Sequence, residues 1–327
     1  MAEPVLRWGL LSTARINRDL IPPLQASKHN ELAAVASRNQ GQAEAYAREW
    51  DIPRAYGSYE ALLEDPEIDV IYNSLPNHLH AEWSIKALRA GKHVLCEKPM
   101  ALTLSEMDAM SAAAKETGLV LAEAFMYRHH PQTLKVKELV SGGALGLIRL
   151  IRGAFTFMLT GDRDIRLLPE MGGGSLWDVG CYPISYTRML VGTEPLEVFG
   201  WQVRGPSGID ETFTGELRFA GDVLAQFDCG FKSQLRWQME IVGSQGTLHV
   251  PSPFKPGYNE KLLLSREDQT ETIIVPGQEL YMGEVEDMAD AVLRGKPQGV
   301  SLRDSRGNAA AILALLESAG KNQPVSL

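Results

Sequence analysis

Trp8-Gly9-Leu10-Leu11-Ser12-Thr13-Ala14-Arg15-Ile16-Asn17 is the stretch on which the fold turns. Residues 5–11 form a short apolar run of β character. Residues 17–25 read as a helix that Pro22-Pro23 should kink or shorten. A strand passing through a tight turn into a helix opens a dinucleotide fold, where backbone N–H groups and a helix N-terminus approach a pyrophosphate. The three places of G-x-G-x-x-G hold Ser12, Ala14 and Asn17 here. Small residues still permit close approach, so Ser12, Thr13, Ala14, Arg15 and Ile16 are candidate cofactor contacts. Taken alone, the stretch serves equally well as an ordinary strand-to-helix turn.

The chain beyond it repeats the pattern. Strands are expected at 32–36, 69–74, 93–96 and 119–122. Helices are expected at 42–50, at 81–90 before Gly91, and at 105–117 before Gly118. Such alternation gives a doubly wound parallel (Rossmann) sheet, with ligands at the carboxyl ends of its strands. From about Gly146 strands follow strands instead, at 196–203, 211–219, 223–231, 235–242, 247–250, 261–264 and 272–275, with closing helices at 283–293 and 304–319. Leu235, Trp237, Met239 and Ile241 alternate with Arg236, Gln238 and Glu240, the habit of a sheet with one buried face. The fold class is therefore α/β, with a parallel domain at 1–125 and an α+β domain at 126–327 built on an open, mainly antiparallel sheet.

The 327 residues are 44% hydrophobic and 22% charged, as in water-soluble globular proteins. A net charge of -9 without any Lys/Arg run argues against nucleic acid. No apolar run approaches the roughly 18 residues a membrane span requires, and the start has no signal-peptide pattern. Three scattered cysteines, Cys96, Cys181 and Cys229, fit a reducing compartment, so a cytoplasmic protein is expected.

The second strand ends in Ser37-Arg38, where an NAD site usually carries an acidic residue for the ribose 2′-OH. A hydroxyl and a guanidinium suit a 2′-phosphate, so NADP is the expected cofactor.

Four further segments converge. They are Asn73-Ser-Leu75-Pro-Asn77-His78-Leu-His80, Glu97-Lys98-Pro99, Glu123-Ala-Phe-Met-Tyr-Arg128 and Gly172-Gly-Gly-Ser-Leu-Trp-Asp178-Val-Gly-Cys-Tyr182. Together they closely resemble the glucose–fructose oxidoreductase / inositol dehydrogenase / rhizopine catabolism (Gfo/Idh/MocA) family. The resemblance covers nearly the whole chain and is greatest to the branch of dimeric dihydrodiol dehydrogenase and NADP-dependent sugar dehydrogenases. It implies hydride transfer between NADP and a hydroxyl-bearing carbon of a sugar or polyol, with aldose 1-dehydrogenation favoured.

The resemblance places Lys98 beside the reacting oxygen, aimed by the cis geometry that relatives have at Glu97-Lys98-Pro99. An ammonium there stabilises an alkoxide-like oxygen. Tyr182, four residues after Asp178, shares a helical face with it. Tyr182 is assigned proton transfer and Asp178 the positioning of a substrate hydroxyl. Leu75, Asn77 and His80 are expected along the nicotinamide half, Glu97 at its ribose, and Arg128 near the nicotinamide. His78 and His80 lack partners at metal-ligand spacing, so no metal is expected. The loop at 160–169, with Asp162, Arg163, Asp164 and Arg166, is expected to set specificity, and its charges read as solvated rather than as anion-binding. Rival readings are a trans-dihydrodiol dehydrogenase, a dicarbonyl-sugar reductase, an NAD-dependent glycosidase and a non-catalytic NADP-binding regulator. Retention of Lys98 and Tyr182 argues against the last. Phe199 and Trp201 on one face of the strand at 196–203, with Leu196 and Val198 on the other, suggest that the second face of the sheet meets another subunit.

Overall fold

A computed structural model describes residues 4–161 and 164–327. Contacts divide it into two compact units, Met1–His129 with Tyr281–Arg306, and His130–Leu280 with Gly307–Leu327.

In the first unit β1 (Leu6–Leu10), β2 (Asn30–Ala36), β3 (Arg54–Tyr56), β4 (Val70–Asn73), β5 (His93–Glu97) and β6 (Leu121–Ala124) form one sheet. Its order is β3-β2-β1-β4-β5-β6, all parallel. The order reverses direction between β1 and β4, and ligands of such sheets bind at that switch point. The helices are α1 (Asn17–Ala26), α2 (Gln40–Glu49), α3 (Tyr59–Leu63), α4 (His80–Arg89) and α5 (Leu104–Thr117). Thr103 and Glu106 close a capping box on α5, and Gly118 ends it at φ 69°. β3 and α3 are too short for a periodic signal and went unanticipated. Pro22 and Pro23 do not end α1, which continues to Ala26. Leu20, Ile21 and Leu24 are fully buried, and that burial outweighs the two amide donors the prolines remove.

The second unit opens with α6 (Pro131–Ser141) and holds α7 (Cys181–Val191). Its strands are β7 (Ile148–Met158), β8 (Glu197–Arg204), β9 (Asp210–Arg218), β10 (Leu224–Gly230), β11 (Lys232–Gly243), β12 (Thr247–Val250), β13 (Asn259–Arg266), β14 (Gln269–Pro276) and β15 (Val325–Ser326). They pair in the order β14-β13-β12-β11-β7-β10-β9-β8-β15. Among the described residues of this sheet, only β7 and β10 run parallel. The mainly antiparallel character is as expected. β7, which the sequence reading did not single out, is its pivot, paired to β10 on one edge and β11 on the other. Alternation along β11 holds only partly: Met239 and Ile241 are fully buried, whereas Leu235 is 55% exposed.

α8 (Met282–Arg294) belongs to the first unit, where Ser27 donates to Glu286 at 2.6 Å. Beyond it, Gln298 donates to the Leu121 carbonyl at 2.9 Å. α9 (Leu302–Lys321) begins in the first unit and ends in the second. Among the described residues no helix is long and apolar enough to cross a membrane.

Candidate active site

The turn between β1 and α1 is tied by side chains where glycines are usual. Ser12 Oγ lies 2.9 Å from Ser74 Oγ and accepts from the Ala14 amide at 3.1 Å. Asn17 Nδ2 donates to the Ser12 carbonyl at 2.6 Å. The serine thus supplies hydrogen bonds that hold the turn tight, and it joins the ends of β1 and β4 at the switch point. Ile16 at the N-cap of α1 gives no side-chain cap, which suits an anion at that terminus.

Ser37 is buried, and its hydroxyl donates to Gln42 Oε1 at 3.3 Å. Arg38 is exposed and lies close to Tyr59, whose phenol pKa is raised by burial, with the Arg38 guanidinium opposing the rise. Alongside runs a cavity of about 490 Å³ lined by Thr13, Arg15, Arg18, Gln42, Tyr46 and Glu49, among others. Two of its arginines flank the β1–α1 turn, so the residues present fit a phosphorylated dinucleotide. Arg18, Gln42 and Tyr46 were not foreseen, because only folding brings α1 and α2 to the two sides of that cavity.

At the end of β5, Tyr72 donates a short hydrogen bond to Glu97, whose other oxygen accepts the Lys98 amide at 3.2 Å. Burial raises the Glu97 pKa, opposed by Tyr72 and Lys98. The Lys98–Pro99 bond is cis. His80 is 1% exposed, and its ring nitrogens lie 2.8 Å from the Pro99 carbonyl and 2.7 Å from the Leu75 carbonyl. A neutral ring donates only one of these bonds, while burial lowers the His80 pKa. His80 therefore ties the Leu75 turn to the Lys98-Pro99 turn. Asn77 sits between them in a 3-10 turn, Asn77–Leu79. Arg128 lies in the turn Met126–His129 and pairs with Asp304 at 2.6 Å.

In the second unit the three glycines each answer a separate constraint. Gly172 ends the turn Pro169–Met171 at φ 76°. A Cβ on Gly173 would lie 2.5 Å from the Arg166 carbonyl oxygen. Gly174 has φ 125°, and Asp210 Oδ1 fills the place a Cβ would take. Asp210 is buried and accepts from the Ser175 hydroxyl and the Leu176 amide, both at 2.7 Å. Burial raises its pKa, while those donors pull it down.

Asp178 lies in a π-helical turn, Leu176–Gly180, that runs directly into α7. The wider turn replaces the α-helical spacing read from the sequence, a change found often at functional sites. Asp178 Oδ2 is 3.0 Å from Arg166 Nε. Tyr182 is 5% exposed, with the Phe155 and Phe254 rings at 5.3 Å and 5.5 Å. Phe155 and Phe254 carried no sequence signal toward Tyr182, nor Asp210 toward Ser175 and Leu176, since each reaches its partner across the fold.

Lys98 with its neighbours thus belongs to the first unit, and Asp178 with Tyr182 to the second. Asp162 and Arg163 lie outside the described residues. None of the three cysteines forms a disulfide, and no group of residues suited to a metal occurs among the described residues.

A parallel sheet with this strand order is that of a dinucleotide-binding fold. Residues 6–125 match the model of the oxidoreductase family with NAD-binding Rossmann fold, and residues 133–249 match the GFO/IDH/MocA C-terminal domain. The chain belongs to the Gfo/Idh/MocA family. It is 37% identical to D-xylose 1-dehydrogenase (NADP(+)) 2 of Haloferax volcanii, covering 98% of this chain and 100% of the relative. It is also 37% identical to trans-1,2-dihydrobenzene-1,2-diol dehydrogenase of Danio rerio, covering 76% and 75%. Among solved structures it is similar to a 3-ketoreductase from Actinomadura kijaniata in complex with NADP and TDP-benzene. That match has a TM-score of 0.91 and 31% identity, over 96% of this chain and 98% of the other.

Proposed function

We propose that the protein is an NADP-dependent dehydrogenase of a neutral sugar or polyol, with an aldose oxidised at C1 as the leading substrate. The observation that carries this reading is Tyr182, a buried phenol at the start of α7, four residues from a half-buried carboxylate, in a chain that also keeps Lys98 at the end of β5. Bound NADP would supply the hydride acceptor. Ser37 and Arg38 hold the 2′-phosphate, while the turn from Ser12 to Ile16 takes the pyrophosphate. Leu75, Asn77, His80 and Arg128 shape the nicotinamide side, and Glu97 meets its ribose.

Asp178 accepts a hydrogen bond from a substrate hydroxyl and so orients the sugar. Tyr182 takes the proton of the reacting hydroxyl as its carbon gives up hydride. Lys98 stabilises the negative charge that builds on that oxygen. The relatives named for xylose and dihydrodiol oxidation support this direction, and the 3-ketoreductase supports its reverse on a keto sugar. Assembly as a homodimer through the second face of the nine-stranded sheet completes the reading.

The test is NADP+ reduction across aldoses, inositols and vicinal diols, followed by NADPH oxidation with keto sugars. Turnover of an aldose is the expected result. Failure with every polyol and keto sugar, with NADP(H) bound, would leave a regulatory protein.

A further inference from the structure

Asp178 is held by a residue outside its own segment. Arg166 stands in the turn Ile165–Leu167, with Nε 3.0 Å from Asp178 Oδ2 and Nη1 3.2 Å from Asp164 Oδ2. Its guanidinium carbon is 5.8 Å from the centre of the Phe157 ring, on β7. The backbone of Arg166 is fixed as well. Its carbonyl accepts the Gly174 amide at 2.9 Å, and the Leu168 carbonyl accepts the Gly173 amide at 3.0 Å. Two glycines thus form a seam between this turn and the segment that carries Asp178, and the Asp178 amide donates back to the Gly174 carbonyl at 3.0 Å.

We infer that Arg166 is a positioning residue for Asp178 and, through it, a determinant of substrate choice. The inference rests on the reading of Asp178 as the group that orients a substrate hydroxyl. An arginine anchored at its backbone by the glycine seam presents Nε in a fixed direction, and a charge-assisted bond from it arrests rotation of the carboxylate. Its positive charge faces two carboxylates, Asp164 and Asp178, and so is neutralised locally. An anionic sugar gains little attraction from it, whereas a neutral polyol gains an aligned acceptor.

The experiment compares the parent, Arg166→Gln, Arg166→Lys, Asp178→Asn and the Arg166→Gln/Asp178→Asn double variant. It uses the best neutral polyol from the screen and the corresponding sugar acid. Arg166 is half exposed, so the variants retain the fold. Because the pair is partly exposed, Arg166→Gln should raise KM for the polyol by roughly three- to fivefold. KM for NADP+ should stay within about twofold, and Arg166→Lys should recover part of the loss. In the Asp178→Asn background the same change should add less than about twofold, because the two residues act as one unit.

An unchanged polyol KM in Arg166→Gln, or an equal effect in both backgrounds, would overturn the inference. So would a loss shared by both substrates together with a lower Tm, which marks a merely structural arginine. Preference for the sugar acid in the parent, lost in Arg166→Gln, would make Arg166 a substrate anchor instead. A parent inert toward every polyol removes the proposed function and this inference with it. An active parent with an indifferent Arg166 removes the inference alone.

Discussion

Phe155 and Phe254 pack on the ring of Tyr182. Tyr182→Phe therefore keeps the packing and removes only the hydroxyl proposed to transfer the proton. The expected loss is about 10²–10⁴ in single-turnover reduction of bound NADP+, and the effect should be less than additive with Lys98→Ala. Turnover within about twofold of the parent would make Tyr182 a packing residue, leaving Lys98 to move the proton. Arg38→Ala should raise KM for NADP+ by roughly tenfold to a hundredfold, because hydrogen bonds to a charged group contribute about 1.5–3 kcal/mol each. Equal losses with NAD+ would show that Arg38 does not meet the phosphate.

His129 offers a test by pH. Burial lowers its pKa to about 4 from 6.5, with Arg128 adding to the fall. The folded ring is neutral where the unfolded ring has taken a proton. Its contribution to stability is full above pH 6.5 and is lost as pH falls toward 4. Between pH 7.5 and 4.5 the parent should lose about 2–3 kcal/mol more than His129→Gln in denaturant titrations. The raised carboxyls Glu97, Glu123 and Asp210 act with the opposite sign but are common to both proteins, and Asp287, raised as well, lies 3.8 Å from the ring, so the difference reads His129 together with that neighbour. Parallel stability curves would refute the assignment.

The clearest prediction for an element concerns the segment from Gly172 to Tyr182. Gly174→Ala must carry a side chain at φ 125° into space held by Asp210. A cost of about 2 kcal/mol is expected, seen as a fall of roughly 5 °C in Tm. An unshifted Tm would mean the seam rearranges without strain. The glycines themselves were legible in the sequence, but their reasons were not. Arg166 and Asp210 approach them from elsewhere in the chain, and no local spacing records that. The same limit hid β7. Its run of Ile, Phe and Thr has β character, yet its importance lies in the two strands it joins. The parallel half was readable almost throughout, because each strand and helix carries its own boundary, as Gly91 and Gly118 do. Ser12 could be read as small enough for a tight turn, but its bonds to Ser74 and Ala14 depend on β4 lying beside β1.

For the molecule as a whole, the nine-stranded sheet carries the aromatic pair Phe199 and Trp201 on a second face otherwise lined largely by charged and polar residues. Val198 is buried, as one face requires, while Trp201 is 59% exposed and its ring lies 5.3 Å from that of Phe199. Around them a cavity of about 680 Å³ is lined by Arg152, Glu216, Arg236 and Glu240, among others. Apolar groups rimmed by both signs of charge suit a self-complementary contact. Light scattering at micromolar concentration should give twice the chain mass, and Trp201→Glu should give the chain mass. A monomeric parent would end the idea. The threading of the chain has a further consequence. The first unit needs Tyr281–Arg306, which leaves the ribosome about 150 residues after His129. At about 5–20 residues per second that is a wait of roughly 8–30 s. Throughout it, Ser27, Asn30 and the Leu121 carbonyl stand without Glu286, Val285 and Gln298, their partners in the finished protein. The nascent parallel sheet therefore spends longest with a raw flank while the other unit is still being made, and it is there that a chaperone would find its grip.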